Sequence, residues 1–211
     1  MDRSVIILTN LESNTSEQDK ALIELNSKPL LKIIVNAVVD IVDEIIVVTN
    51  SKEKSDKYSE LLGPHIQIII NQESTGLLSD ALKGFEAAKN KLSLLLPTDT
   101  PFVSLDIVDL LFELCQTRSA VIPRWPDQAV EMLHSAFNTK IAIEAANIAL
   151  AEGKTNLEDI VDVMGGIRYV STLVIQELNP ELKMFTKVNR SVDLKNREPP
   201  NNRRLKLSKK R

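Results

Sequence analysis

The sequence predicts an α/β protein with a mostly parallel central sheet and helices on both of its faces. Three observations predict it. Strand-like and helix-like patterns alternate four times in a row. The strand-like segments are short and mostly apolar, as expected of strands buried on both faces. Hydrophobic residues make up 43% of the 211, enough for a sizeable core and too many for wholesale disorder.

The elements follow in order. Ser4–Leu8 (Ser-Val-Ile-Ile-Leu) is the first strand. Pro29 opens a helix in which Leu30, Leu31, Ile33, Ile34, Ala37, Val38 and Ile41 recur at helical spacing. Glu44–Thr49 is the second strand, and Ser51–Leu62 a charged helix stopped by Gly63-Pro64. Ile66–Ile70 is the third strand, and Leu77–Lys89 a helix with Leu78, Ala81, Leu82, Phe85 and Ala88 on one face. Leu92–Leu96 is the fourth strand. Ser104 caps the next helix, with Asp106 and Asp109 near its N-terminal end and Ile107, Val108, Leu110, Leu111 and Leu114 as its apolar face. After Ala120–Pro123 the pattern changes. Val130–Phe137 reads as a strand, Thr139–Leu150 as a helix ended by Gly153, and Leu157–Met164 as a helix capped by Asn156 and stopped by Gly165-Gly166. Ile167–Val170 and Lys183–Val188 read as two further strands extending the same sheet. One domain over residues 1–196 is expected, followed by a basic, disordered tail over 197–211.

Charge and cysteine content narrow the classes. The formal net charge is −3, yet residues 203–211 carry six basic groups and no acid, so the body is acidic and the tail basic. That argues against nucleic-acid binding by the body and leaves a weak contact through the tail, with nucleic acid or an acidic partner, as an alternative to a frayed end. The single cysteine, Cys115, falls in an apolar helical run, where a buried inert thiol is expected, and one cysteine forms no intramolecular disulfide. No signal-peptide pattern opens the chain and no apolar run approaches the ~18 residues of a membrane span. A cytoplasmic protein without a membrane partner is the expectation. Zinc is not expected, because no Cys/His cluster has its spacing.

The most informative stretch is Leu92-Ser-Leu-Leu-Leu-Pro-Thr-Asp-Thr-Pro-Phe102. A buried strand stops at Pro97, and Asp99 follows at once. In open α/β sheets ligands collect just past the carboxyl ends of the strands, so Asp99 stands where a carboxylate could hold a divalent cation against a phosphate. Thr98-Asp99-Thr100-Pro101 is also ordinary turn chemistry. The first connection, residues 9–20, has no glycine; Lys20 is its one cation, and Glu12, Glu17 and Asp19 are acidic.

Six motifs in order carry a resemblance. Leu8 is followed by a loop ending Asp19-Lys20, then come Leu25-Asn-Ser-Lys-Pro-Leu30, Thr75-Gly-Leu-Leu-Ser79, Asp99-Thr-Pro-Phe102, the pair Pro123-Arg-Trp-Pro-Asp127 and Glu131-Met-Leu-His134, and Val188-Asn-Arg-Ser-Val-Asp-Leu194. Over about residues 4–195 the chain resembles the nucleotidyltransferase superfamily that includes the molybdenum cofactor guanylyltransferases. The resemblance implies a three-layer, Rossmann-like nucleotide-diphospho-sugar transferase fold with a mostly parallel sheet. It implies transfer of GMP from GTP to a phosphorylated acceptor, molybdopterin, assisted by Mg2+. Carried over residue by residue, Leu8, Thr9 and Asn10 lie along base and phosphates, Lys20 binds the triphosphate, Asn50 and Asn71 contact the nucleoside, and Gly76 lets backbone approach the base. The resemblance further implies that Asp99 would ligate magnesium and that Asn189 could be a second metal ligand. By the same resemblance, Lys20 and Asp99 are the expected catalytic residues.

The chain departs from that family at the first loop. Asn10 and Leu11 replace a glycine pair, Thr15 replaces an arginine, and Glu17 replaces a third glycine. A charge-stabilising arginine is worth ~10³-fold or more in phosphoryl transfer. The departures support an alternative: a catalytically impaired member that binds a nucleotide, a pterin or a protein partner. His134 reads as a hydrogen-bonded strand residue rather than a base, Asn189 doubles as a helix cap, and Trp125, set on a loop before Pro126, either covers a pterin-like ring or merely packs.

Overall fold

β-branched and leucine-rich runs build the sheet, because such side chains pack on a pleated surface covered from both sides. The structure, a computed structural model, describes residues 2–11 and 19–188. The strands are β1 (Arg3–Leu8), β2 (Glu24–Leu25), β3 (Lys28–Pro29), β4 (Glu44–Thr49), β5 (Gln67–Ile70), β6 (Leu92–Pro97), β7 (Ala120–Arg124), β8 (Ala136–Asn138) and β9 (Ile167–Ser171). The helices are α1 (Leu30–Val38), α2 (Lys52–Leu62), α3 (Leu77–Ala87), α4 (Leu105–Cys115), α5 (Thr139–Ala151), α6 (Ile160–Val163) and α7 (Thr172–Leu178). Seven strands form one sheet in the order β5-β4-β1-β6-β8-β7-β9. Within that sheet all pairings are parallel except those of β8, which runs against both neighbours. The expected α/β class with a mostly parallel sheet is what the chain adopts, and its C-terminal part extends the same sheet.

Side-chain alternation along β1 divides the core into two layers. Val5 and Ile7 join Leu31, Ile34, Val47, Leu94, Leu111 and Phe112 on the face under α1 and α4. Ile6 and Leu8 join Val48, Leu78, Phe85, Phe137 and Ala146 on the face under α3 and α5. Phe85 and Phe137 meet edge to face at 5.4 Å and are fully buried. Phe137→Ala is expected to cost about 3–5 kcal/mol of stability, the sum of lost transfer energy and the cavity left behind; chemical denaturation measures it, and a loss below about 1 kcal/mol would contradict this packing.

The short hairpin β2–β3 turns through Asn26 (φ 52) and Ser27 (φ 61), the left-handed pair that a two-residue hairpin of this twist demands. It carries Pro29 to the start of α1, where Leu30 N donates to Ile23 O.

Two expected strands are corrected. Of Val130–Phe137 only Ala136 onward enters the sheet; Met132–His134 is a 3-10 turn, closed by the Ser135 hydroxyl donating to Glu131 O at 2.7 Å, and Val130 makes an isolated bridge to Arg124. Lys183–Phe185 is likewise a 3-10 turn, entered through Leu182 at φ 49. The expected helix 157–164 is a 3-10 turn (Leu157–Asp159) running into the single turn of α6, with Asn156 and Asp159 forming a capping box. Cys115 is buried and its thiol is pushed up to about 12 by desolvation, as an inert core cysteine should be. No helix among the described residues is long and apolar enough to cross a membrane. The boundary expected at 196/197 and the basic tail lie outside the described residues.

Candidate functional site

Strand order reverses at the β1/β6 pair, since β1 leads to β4 on one side while β6 lies on the other. In open α/β sheets the crevice outside the carboxyl ends at such a point is where ligands bind. Thr9, Asn10 and Leu11 leave β1 there, and Thr98 to Phe102 leave β6. Pro97 faces Leu8 in the register, and its missing N–H ends the ladder and frees the chain to turn.

Asp99 is 2% exposed. Its Oδ2 accepts from Lys20 Nζ at 3.2 Å, while its Oδ1 is buried with no hydrogen-bond partner. Its backbone oxygen accepts from Val188 N at 2.7 Å, which ties the end of β6 to the C-terminal segment. Lys20 is placed from below. Asp19 caps the 3-10 turn Lys20–Leu22, with Oδ1 accepting from Ala21 N at 3.1 Å and Oδ2 from the Tyr58 hydroxyl at 2.7 Å. Tyr58, on α2, is fully buried; burial first, and then the Asp19 carboxylate, hold its phenol protonated well above the usual range. A lysine on a loop is thereby locked beside a carboxylate 79 residues away.

The opposite wall is built of amides. Asn71, at the end of β5, donates its backbone N–H to Thr49 O at 2.7 Å and its Nδ2 to Asp80 Oδ1 at 2.7 Å. Asn10 Nδ2 donates to Asp80 Oδ2 at 3.0 Å. Gly76 opens α3 at φ 146, where a Cβ would stand 2.9 Å from the Thr155 carbonyl oxygen. A non-glycine residue would therefore be strained and crowded there. Its neighbour Ser79 donates to Gly76 O at 2.9 Å and accepts from Thr75 N at 3.0 Å, which fixes the turn before the helix.

Of the expected site residues, Lys20 and Asp99 meet, and Asn10 and Asn71 meet through Asp80. Thr9 borders the crevice with its hydroxyl donating to Val48 O at 3.0 Å. The Leu8 side chain is wholly in the core, so it offers a ligand only backbone. Asn50 is exposed just past β4, and Asn189, Thr15 and Glu17 lie outside the described residues.

Sequence reading missed Asp80 and Tyr58. Both sit on helices whose polar positions read as solvated faces, and nothing local reports that tertiary packing buries them.

Beyond Asp99 lies an aromatic cluster in which His134 is buried and Trp125 and Phe185 are partly buried. Thr100 Oγ1 and His134 Nε2 are 2.9 Å apart, and Phe185 packs edge to face on both His134 and Trp125. Trp125 Nε1 donates to Glu131 Oε1 at 2.5 Å. Trp125 thus packs onto protein, while Arg124 lies over the Tyr169 ring at 4.5 Å. Burial raises the Glu131 carboxyl, partly offset by the Trp125 hydrogen bond. Desolvation pulls the His134 imidazole down to about 3 from 6.5. The fold therefore holds it neutral while the unfolded chain protonates near pH 6.5, so this stability is complete above that pH and drains as pH falls toward 3. Between pH 6.5 and 5 the loss from this group should reach about 2 kcal/mol, and His134→Gln should remove it. Denaturant unfolding at both pH values measures it; an unchanged pH slope in the variant would refute the assignment.

Two surface clefts, of about 420 and about 720 Å3, open at the amino ends of the strands, around Lys89 and Asn90, away from Asp99.

Residues 6–166 match the MobA-like NTP transferase domain family. Two curated archaeal relatives, both named as probable molybdenum cofactor guanylyltransferases, are similar over most of their length. The one from Methanosarcina mazei is 31% identical across 84% of this chain and 81% of its own. That from Methanosarcina acetivorans is 28% identical across 83% and 80%. The crystal structure of molybdopterin-guanine dinucleotide biosynthesis protein A from Archaeoglobus fulgidus superposes with a TM-score of 0.75 at 16% identity, covering 91% of this chain and 95% of that one. The chain belongs to the MobA-like nucleotidyltransferase family, and it has that family's fold.

Proposed function

We propose that the protein transfers GMP from GTP to the phosphate of molybdopterin with the aid of Mg2+. The observation that carries this reading is the Lys20–Asp99 pair at the sheet's switch point, with one buried carboxylate oxygen left without a partner. The names of the curated relatives support the donor and acceptor.

The site passes a test of fit for magnesium. Mg2+ keeps several waters and binds proteins through one or two carboxylates together with substrate phosphates. Among the described residues no cluster of three or more His, Cys, Asp or Glu exists, so an all-protein cage is not on offer. A lone carboxylate with an orphaned oxygen, facing a crevice suited to phosphates, is the donor set that fits. Asp99 would hold the ion; the role of Asn189 is part of the same proposal. Once bound, the metal neutralises phosphate charge as it builds in the transition state.

The chain's own groups do the rest. Lys20 holds triphosphate oxygens with a charge-assisted bond. Backbone at Leu8–Asn10 flanks the phosphates, and Asn50, Asn71 and Gly76 border the nucleoside. An acceptor phosphate oxygen attacks the α-phosphorus in line, forming a new P–O bond. The bond from the α-phosphorus to the bridging oxygen breaks, and pyrophosphate leaves with that electron pair. Positioning of the two phosphates supplies much of the acceleration.

One observation favours a second reading, binding without transfer. Asn10 stands where the family has glycine, and its side chain, tied to Asp80, fills space that backbone would use. Calorimetric titration with each nucleoside triphosphate, with and without Mg2+, decides. Magnesium-dependent binding of GTP, followed by labelled GMP appearing on molybdopterin, is the expected result. GTP binding with no transfer would establish the second reading, and no triphosphate binding would overturn the first.

A further inference from the structure

One buried carboxylate beside the nucleoside wall is unused by the proposed chemistry. Asp80 lies in the first turn of α3 and is 1% exposed. Each of its oxygens accepts from a different asparagine, Oδ1 from Asn71 at 2.7 Å and Oδ2 from Asn10 at 3.0 Å. An ionised carboxylate only accepts, so both amides must turn their nitrogens toward it. Asn71 Nδ2 also lies 3.4 Å from Ser79 Oγ, again on α3. Apart from the second N–H of Asn10, what each asparagine has left to offer is its carbonyl oxygen, and Asn10 Oδ1 is buried with no partner. A buried acceptor without a donor is costly in the free protein, and a ligand that supplies the donor relieves it.

We infer that Asp80 is a positioning residue for base recognition: by clamping Asn10 and Asn71 nitrogen-inward, it presents amide carbonyls that select a base edge made of donors. Guanine offers adjacent N1–H and N2–H2 donors on one edge. Hypoxanthine keeps the first and lacks the second. Adenine and cytosine set an acceptor nitrogen beside their amino group, which would meet a carbonyl oxygen unfavourably. A site built to receive a polar group rejects the analogue that lacks it, because the site's own buried group is then left unpaired. The inference rests on the triphosphate-binding reading above and adds to it the chemistry of base choice. It also gives the Asn10 departure a function, since a glycine there has no side chain for Asp80 to orient.

The test titrates GTP, ITP and inorganic tripolyphosphate, each with Mg2+, into the wild-type protein, Asp80→Asn and Asn10→Ser. Wild type should prefer GTP over ITP by about tenfold or more. Asp80→Asn puts an amino group where an acceptor was, so one asparagine must flip and show its nitrogen to the base. GTP affinity should then fall about 10- to 100-fold and the GTP/ITP preference should collapse, with tripolyphosphate binding unchanged. An intact preference in Asp80→Asn overturns the inference. If that variant loses tripolyphosphate binding as well, its fold has failed and Asn10→Ser decides, an intact preference again overturning the inference. Equal binding of GTP and ITP by wild type overturns this inference alone and leaves the transferase reading standing. Failure of wild type to bind any triphosphate overturns both.

Discussion

Asp99→Asn should lower magnesium-dependent nucleotidyl transfer by about 10³-fold, the scale at which removing one electrostatic group from a phosphoryl-transfer site acts. The change is isosteric, so the backbone bond from Val188 N to Asp99 O and the turn after Pro97 can persist. What is lost is charge. An aspartate that is 2% exposed, with one oxygen on Lys20 and the other without a partner, contributes little as a turn former. A turn needs the side chain near the surface and bonded to its own backbone; this one is turned inward. The measurement is single-turnover transfer of labelled GMP with melting temperature as control. Activity within about tenfold of wild type, in a folded variant, would remove Asp99 from the mechanism.

The same residue shows what was legible in the sequence. Leu92–Leu96 is apolar but for the buried Ser93 and is cut by Pro97, so both the strand and the place where it ends could be read directly, and Asp99 with them. The central strands β1 and β4 were legible for the same reason: strands covered on both faces leave no polar alternation to misread. Around residues 130–137 the pattern fails. Met132, His134 and Ala136 alternate like a strand and are buried, yet the chain between Glu131 and Ser135 turns, because the Ser135 hydroxyl takes Glu131 O and Glu131 itself is engaged by Trp125. Met184 is buried and Phe185 packs edge to face on Trp125 and His134, so their apolar character reports packing of a turn rather than a strand. At the site, single residues were legible from their positions after strands. The partnerships Lys20–Asp99, Asp19–Tyr58 and Asn10–Asp80 span 79, 39 and 70 residues, and no local spacing rule reaches so far.

Lys20→Met should weaken triphosphate binding by about 10- to 100-fold, the value of a charge-assisted hydrogen bond, and reduce transfer by at least as much. It should do something else that a simple phosphate anchor would not. The Lys20 side chain is 11% exposed and that of Asp99 3%, so each charge has given up most of its water and depends on the other. Removing one partner of a buried pair leaves the other uncompensated, at a cost of about 3–5 kcal/mol. The nucleotide-free variant should therefore melt earlier than wild type. A divalent cation can take the place of the lost ammonium, since both Asp99 oxygens are then free to receive it. Added Mn2+ should accordingly restore much of the variant's melting temperature while moving wild type little, and Mn2+ bound without nucleotide should be detectable by electron paramagnetic resonance in the variant first. That pattern follows from linkage, because a ligand that binds the folded state stabilises it in proportion to its affinity. Loss of triphosphate affinity with no change in melting temperature or Mn2+ binding would mean that the ion pair with Asp99 contributes nothing to the resting site. Under that outcome Lys20 would serve the phosphates alone. The expected outcome gives Lys20 two successive duties, as the counter-charge of Asp99 while the site is empty and as a phosphate ligand once nucleotide and metal arrive together.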